Sequence, residues 1–159
     1  MNIYIISVGK IKEEYIKSGI SEYLKRLSRY CKISIIELED EKVPDKMSQK
    51  ELEIIQQAEA NRIKSVIKQG WYVIALDFRG KQFTSEELAS KIEDLGISGQ
   101  SNLAFIIGGT IGLYSELRNS VDLLLSFSKL TFPHQLIRLF LLEQLFRSFK
   151  IIRGETYHK

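Results

Sequence analysis

A chain of 159 residues, 44% hydrophobic and 27% charged, has the size of one domain (1–159) able to bury its own core, and that composition fits neither a disordered nor a fibrous protein. Its net charge of +3 is too small to separate an RNA binder from an ordinary enzyme. The apolar runs are short and broken by charge, Met1-Asn2-Ile3-Tyr4 lacks the basic region of a signal segment, and Cys31 is the single cysteine. A membrane span, an internal disulfide and a thiolate zinc site are therefore excluded, the expected compartment is the cytoplasm, and Cys31 reads as a small packed residue.

Asn2 to Gly9 alternates apolar and β-branched residues and reads as a first strand. Ile16, Ile20, Tyr23, Leu24 and Leu27 then recur at helical spacing. Lys32 to Leu38 reads as a second strand, followed by a solvated acidic loop through Glu39, Asp40, Glu41, Pro44 and Asp45, where nothing fixes a metal geometry. Ser48-Gln-Lys-Glu51 is a capping box that starts a helix with Leu52, Ile55, Ile63, Val66 and Ile67 on its apolar face and Gly70 at its end. Trp71 to Asp77 barely alternates and is expected to be a central strand, with Phe78-Arg79-Gly80-Lys81 as a turn. A second capping box, Thr84 to Glu87, opens a helix carrying Leu88, Ile92 and Leu95 that Gly96 stops.

Leu103 to Ile107 is a continuous apolar run halted by Gly108 and Gly109, as in a parallel strand covered on both faces. A short helix between Tyr114 and Val121 leads to a last strand, Leu123 to Phe127. Pro133 then holds Phe132 out of helical geometry before a helix begins near His134. The alternation of strands with helix-length spacers gives an α/β fold, a mostly parallel sheet with helices on both faces. From His134 to Lys150 the helical wheel has no continuous polar face. Because a sheet can cover only one side of such a helix, a second subunit is expected on the other, making a homodimer.

The loops after the last two strands sit where open α/β sheets bind ligands. Gly108, Gly109 and Gly112 form a Gly-Gly-x-x-Gly loop suited to close backbone approach. The dinucleotide fingerprint is absent, since Val8-Gly9-Lys10-Ile11-Lys12 has one glycine, and no phosphate-loop, serine-nucleophile or zinc-protease motif appears. The two histidines are His134, at a helix start, and His158, in a tail with nothing to offer a core. Arg138 and Arg147, nine positions apart, point to opposite sides of their helix, one toward substrate and one across a dimer, unless Arg147 pairs with Glu143 at i,i+4. Basic Lys150, Arg153 and Lys159 in the tail could touch phosphate.

Ile106-Ile-Gly-Gly-x-x-Gly112, Ser126 through Leu130 with Thr131-Phe-Pro-His134, Arg138, Glu143-Gln144-Leu145-x-Arg147 and the closing Tyr157-His158 resemble the small trefoil-knot (SPOUT) methyltransferases that act on a pseudouridine of large-subunit ribosomal RNA. The resemblance spans essentially the whole chain, including Ala75-Leu-Asp77 with Gly80-Lys81. It implies a C-terminal deep trefoil knot, a homodimer, S-adenosylmethionine as cofactor, no metal, and methyl transfer to N3 of the pseudouridine on the assembled ribosome. It also implies cofactor contacts from Leu76, Gly108, Phe127, Ser128, Lys129, Leu130, Thr131 and Phe132. The catalytic work falls by the same resemblance to His134, Arg147, Tyr157 and His158, with the tail of one subunit completing the site of the other. Two other readings compete. One is a non-catalytic dimeric RNA-binding or ribosome-binding module; the other is an α/β oxidoreductase, which the missing first-strand fingerprint disfavours.

Overall fold

In the computed structural model, which describes residues 1–157, strand and helix alternate along the chain. The order is β1 (Asn2–Val8), α1 (Glu14–Leu27), β2 (Lys32–Leu38), α2 (Gln49–Val66), β3 (Tyr72–Gln82), α3 (Ser85–Ile97), β4 (Asn102–Ile107), α4 (Ser115–Ser120), β5 (Leu123–Ser126) and α5 (His134–Ile152). The strands form one parallel sheet in the order β2-β1-β4-β3-β5. Successive side chains of a strand face opposite ways, and this sheet uses both faces. Ile3, Ile5, Ile74, Leu103, Phe105 and Ile107 join α1, α3 and α5 in one core, while Ile6, Val8, Val73, Ala75, Ala104 and Ile106 join α2 and α4 in the other.

Both capping boxes form. The Glu51 amide donates to the Ser48 hydroxyl and the Ser48 amide to the Glu51 carboxylate, and Thr84 and Glu87 repeat the exchange. Helix ends depart slightly from expectation. Helix α2 stops at Val66, ahead of Gly70, and α3 runs through Gly96, which lies against Met1, to Ile97. The acidic loop is more tethered than a solvated loop, because Glu41 pairs with Arg62, which also donates to the Glu39 carbonyl. Cys31 is packed as expected, and burial pushes its thiol up to about 11.

The turn expected at residues 78–81 is instead a bulge inside β3. Leu76 and Lys81 both align with Leu125 of β5, so residues 77–80 are extruded from the ladder. Turn and bulge draw on the same residue types, and here Gly80 serves a close approach. A Cβ on Gly80 would lie 2.6–2.7 Å from backbone atoms of Leu124 and Leu125. The last strand ends at Ser126, one residue earlier than expected.

Helix α5 corrects the premise that one of its sides needs a second subunit. It packs on the sheet and lies between α1 and α3, with Gly19 of α1 admitting Leu139 closely, so neighbours in its own chain cover most of it. Phe140 alone among its large apolar residues stays exposed. Arg138 is likewise not free for substrate or dimer contact, because it is completely buried. Its Nη1 donates to the Glu37 carboxylate at 2.6 Å and its Nη2 to the Gly9 carbonyl at 2.9 Å. Breaking a buried charge pair costs about 3 kcal/mol or more, and lysine cannot reproduce the forked donor. Arg138→Ala is therefore expected to lose about 3 kcal/mol in urea denaturation, with little recovery in Arg138→Lys. A wild-type midpoint in either variant would show the pair to be dispensable.

Candidate functional site

The bulge of β3 and the carboxyl ends of β4 and β5 converge on a cavity of about 400 Å³. Every residue expected to touch a cofactor lines it except Lys129: Leu76 from the middle of β3, just before its bulge, Gly108 after β4, and Phe127, Ser128, Leu130, Thr131 and Phe132 after β5. The loop after β5 is held in shape by its own serines. The Ser126 hydroxyl donates to the Ser128 carbonyl at 2.9 Å, and the Leu130 amide donates to the Ser128 hydroxyl at 3.0 Å. On the opposite wall Gly108, which has only backbone, lines the cavity, and a Cβ there would stand 2.9 Å from Leu113, so the loop packs too closely for a side chain.

Helix α2 supports the glycine loop from behind. The Gln56 amide donates to the Ile111 carbonyl at 2.8 Å, and Gly109 lies against the carboxylate of buried Glu59. Burial pushes the Glu59 carboxyl above its usual range, against the pull of the Glu41 amide and Arg62. Neither residue was singled out from the sequence, because a polar side chain on a helix carries no sign of what its face meets.

Three more residues at the rim escaped sequence reading as site residues. Asp77 turns inward with its side chain only 6% exposed. Its carboxylate accepts from the Arg79 amide at 3.0 Å and from the Arg79 guanidinium at 3.3 and 3.4 Å, and Arg118 Nε stands 3.9 Å away. Arg118 also donates to the Leu113 carbonyl, tying α4 to the glycine loop. A cation beside Gly80 was the available signal for Arg79. Arg118, on a six-residue helix, gave none.

The expected catalytic residues divide between two places. His134 lines the cavity at the start of α5 and comes close to Gly9 and Asp40. Burial, and then the Arg138 cation, hold its imidazole below the ordinary value of 6.5, with Asp40 opposing. Arg147 stands thirteen residues further along α5, roughly 20 Å by helical rise. There its guanidinium donates to Glu143 at 2.6 and 3.1 Å, the i,i+4 pairing, and stacks on the Tyr157 ring 5.0 Å away. Tyr157 donates to Glu143 at 3.2 Å and meets Phe146 edge to face at 5.0 Å, so this part of the tail does contribute to packing. Burial and hydrogen bonding to Tyr23 push its phenol up to about 12. His158 lies outside the described residues. Lys150, from the basic tail, pairs with Glu155.

The model of a family described as a predicted SPOUT methyltransferase matches residues 1–158. The chain is 57% identical to the ribosomal RNA large subunit methyltransferase H of Clostridium novyi (strain NT), and 56% identical to the protein of the same name from Acetivibrio thermocellus. Each of those alignments covers 100% of both chains. Among solved structures, a probable methylase family protein from Haemophilus influenzae Rd KW20 shares the fold, with a TM-score of 0.55 at 14% identity over 99% of this chain and 70% of the other.

The lowered imidazole pKa sets the sign of a pH effect. Between the folded and unfolded values the folded protein binds fewer protons, so stability is complete above about 6.5 and falls as pH drops through that range. His134→Gln is expected to flatten this acid-side loss, read as urea midpoints between about pH 7.5 and 5.5. An unchanged slope would assign the loss to other groups.

Proposed function

This chain belongs to the SPOUT methyltransferase family, and from that premise we propose that it methylates N3 of a pseudouridine in large-subunit ribosomal RNA, using S-adenosylmethionine. The cavity carries this reading: both loops expected to hold the cofactor converge on it, in a chain that aligns end to end with relatives named as large-subunit ribosomal RNA methyltransferases. The site suits the cofactor chemically. Backbone exposed at Gly108 allows an adenosine to lie against the chain, and Leu76, Ile107, Leu125 and Ile137 offer apolar walls for its base. Bound there, the cofactor supplies an electrophilic methyl carbon on a sulfonium.

The residues then have to position the nucleophile and take its proton. Among the described residues, His134 is the one expected catalytic residue on the cavity wall, and its depressed pKa leaves a neutral imidazole able to accept the N3 proton at pH 7. Tyr157, with its phenol near 12, keeps its proton and acts as a hydrogen-bond donor. Arg147 serves as a cation for the negative charge that spreads over the neighbouring carbonyl oxygens. In one chain Arg147 and Tyr157 stand too far from His134 to share a substrate, which supports a homodimer in which the tail of one subunit, His158 included, completes the cavity of the other. Exposed Leu130, Phe132 and Phe140, the last two in edge contact at 5.6 Å, offer an apolar patch beside the cavity for such an interface. The reading includes the knotted topology of the family, in keeping with the return of α5 from the sheet edge at β5 to a place between α1 and α3. It places the enzyme in the cytoplasm, acting on the assembled ribosome.

Calorimetric titration of the wild-type protein should show binding of S-adenosylmethionine and none of nicotinamide dinucleotide. Gly108→Val crowds Leu113 and shifts the loop, an overpacking worth about 1–3 kcal/mol, so cofactor affinity should fall tenfold or more. Unchanged affinity would move the cofactor site elsewhere. Arg147→Ala should keep cofactor binding, lose less than about 1 kcal/mol of stability, and abolish transfer to ribosomes lacking the modification. Retained transfer would remove Arg147 from the site.

A further inference from the structure

The bulge in β3 presents an aromatic ring to solvent at the mouth of the cavity, and the fold invests in holding it there. Phe78 is 53% exposed and lines the rim together with Arg79. The Arg79 guanidinium lies 4.2 Å above the Phe78 ring. Both belong to the four residues extruded between Leu76 and Lys81. The bulge is braced at each end. Asp77 turns inward and binds the Arg79 amide and guanidinium, and Gly80 presses on the backbone of Leu124 and Leu125, where no side chain fits.

A bulge kept rigid by a buried carboxylate and a close backbone contact limits the motion by which Phe78 could fold inward. Its chemistry suits one kind of ligand. An aromatic face takes the π-face of a nucleobase freed from its own stack, and a guanidinium beside it meets the adjoining phosphate. The ring stands beside the cavity into which, on the reading above, a pseudouridine must be delivered.

We propose that Phe78 and Arg79 form a platform that stacks an unpaired nucleobase of the substrate RNA, next to the target nucleotide, and contacts its phosphate. This inference rests on the ribosomal RNA methyltransferase reading and adds to it the residues that grip the strand.

The test titrates fluorophore-labelled protein with purified ribosomes by anisotropy, and measures methyl transfer and S-adenosylmethionine affinity on the same variants. Phe78→Ala should weaken ribosome binding roughly fivefold or more, while Phe78→Trp retains it. Arg79→Gln should lower the slope of log affinity against log salt by about one. Cofactor affinity and molar mass should stay at wild-type values in both Phe78 variants. Trp71 is stacked on Tyr4 at 3.9 Å, so the extra emission of Phe78→Trp over wild type can be isolated, and its quenching by ribosomes would report base stacking. The platform is overturned by equal ribosome affinity of Phe78→Ala and wild type, by a loss of cofactor affinity that matches the loss of ribosome binding, or by a drop in molar mass showing that a second copy covers the ring. Failure of the methyltransferase reading looks different: the wild type itself would transfer no methyl group, whatever the variants bind.

Discussion

The buried guanidinium of Arg138 is the constraint to which the functional end of the molecule answers. Taking a charge out of water costs several kcal/mol, and the cost is tolerable only where geometry returns most of it. Here one side chain joins three elements: it rises from α5, binds Glu37 at the end of β2, and caps the Gly9 carbonyl where β1 ends. Those bonds fix where α5 begins. His134 stands one helical turn earlier on the same helix, where burial first and then the Arg138 cation lower the pKa of its imidazole. The Nε of Arg138 has no partner among the described residues, so even this anchor leaves one donor unsatisfied in the core.

Where the cause of a feature was local, the sequence displayed it. Ser48 and Glu51, or Thr84 and Glu87, are three positions apart, and each pair names its helix start without help from the rest of the fold. The unbroken apolar run from Leu103 to Ile107 names an interior strand for the same reason. The two ligand loops were legible because strand ends, glycine and an X-Pro step are also local signals, whereas their union into one cavity followed only from the family resemblance. Features that depend on distant partners were not legible. Arg138 looks like a surface cation on any helical wheel, and its carboxylate is 101 positions away. Residues 77–80 have the composition of a turn, and only the alignment of β5 makes them a bulge. The apolar girth of α5 suggested one uncovered side because the sequence does not say that α1 and α3 flank it.

The cavity and the Tyr157 cluster differ in how they are held. Around the cavity, backbone does most of the work: a glycine loop, a serine-braced loop, and a bulge pinned at both ends. Around Tyr157, side chains hold one another, with Arg147, Glu143 and Phe146 sharing the ring. A backbone-built site is set once the sheet is set. The Tyr157 cluster instead depends on side chains that pack against one another at the edge of the core, with Phe146 belonging to that core.

The strand order carries a consequence for how the protein is made. In the order β2-β1-β4-β3-β5, the strand that joins the amino-terminal pair to the rest is β4, residues 102–107. Until the ribosome has released that segment, β1 keeps one edge open, and β3 has neither β4 nor β5 beside it. Roughly two thirds of the chain must therefore wait, partly ordered and with pairing edges bare, for a strand that inserts between two others. Non-local insertion of this kind slows folding and exposes edges that invite wrong partners. The parallel sheet that gathers three loops into one cavity thus obliges the newborn chain to rely on shielding by α1 and α2 before it has a finished core.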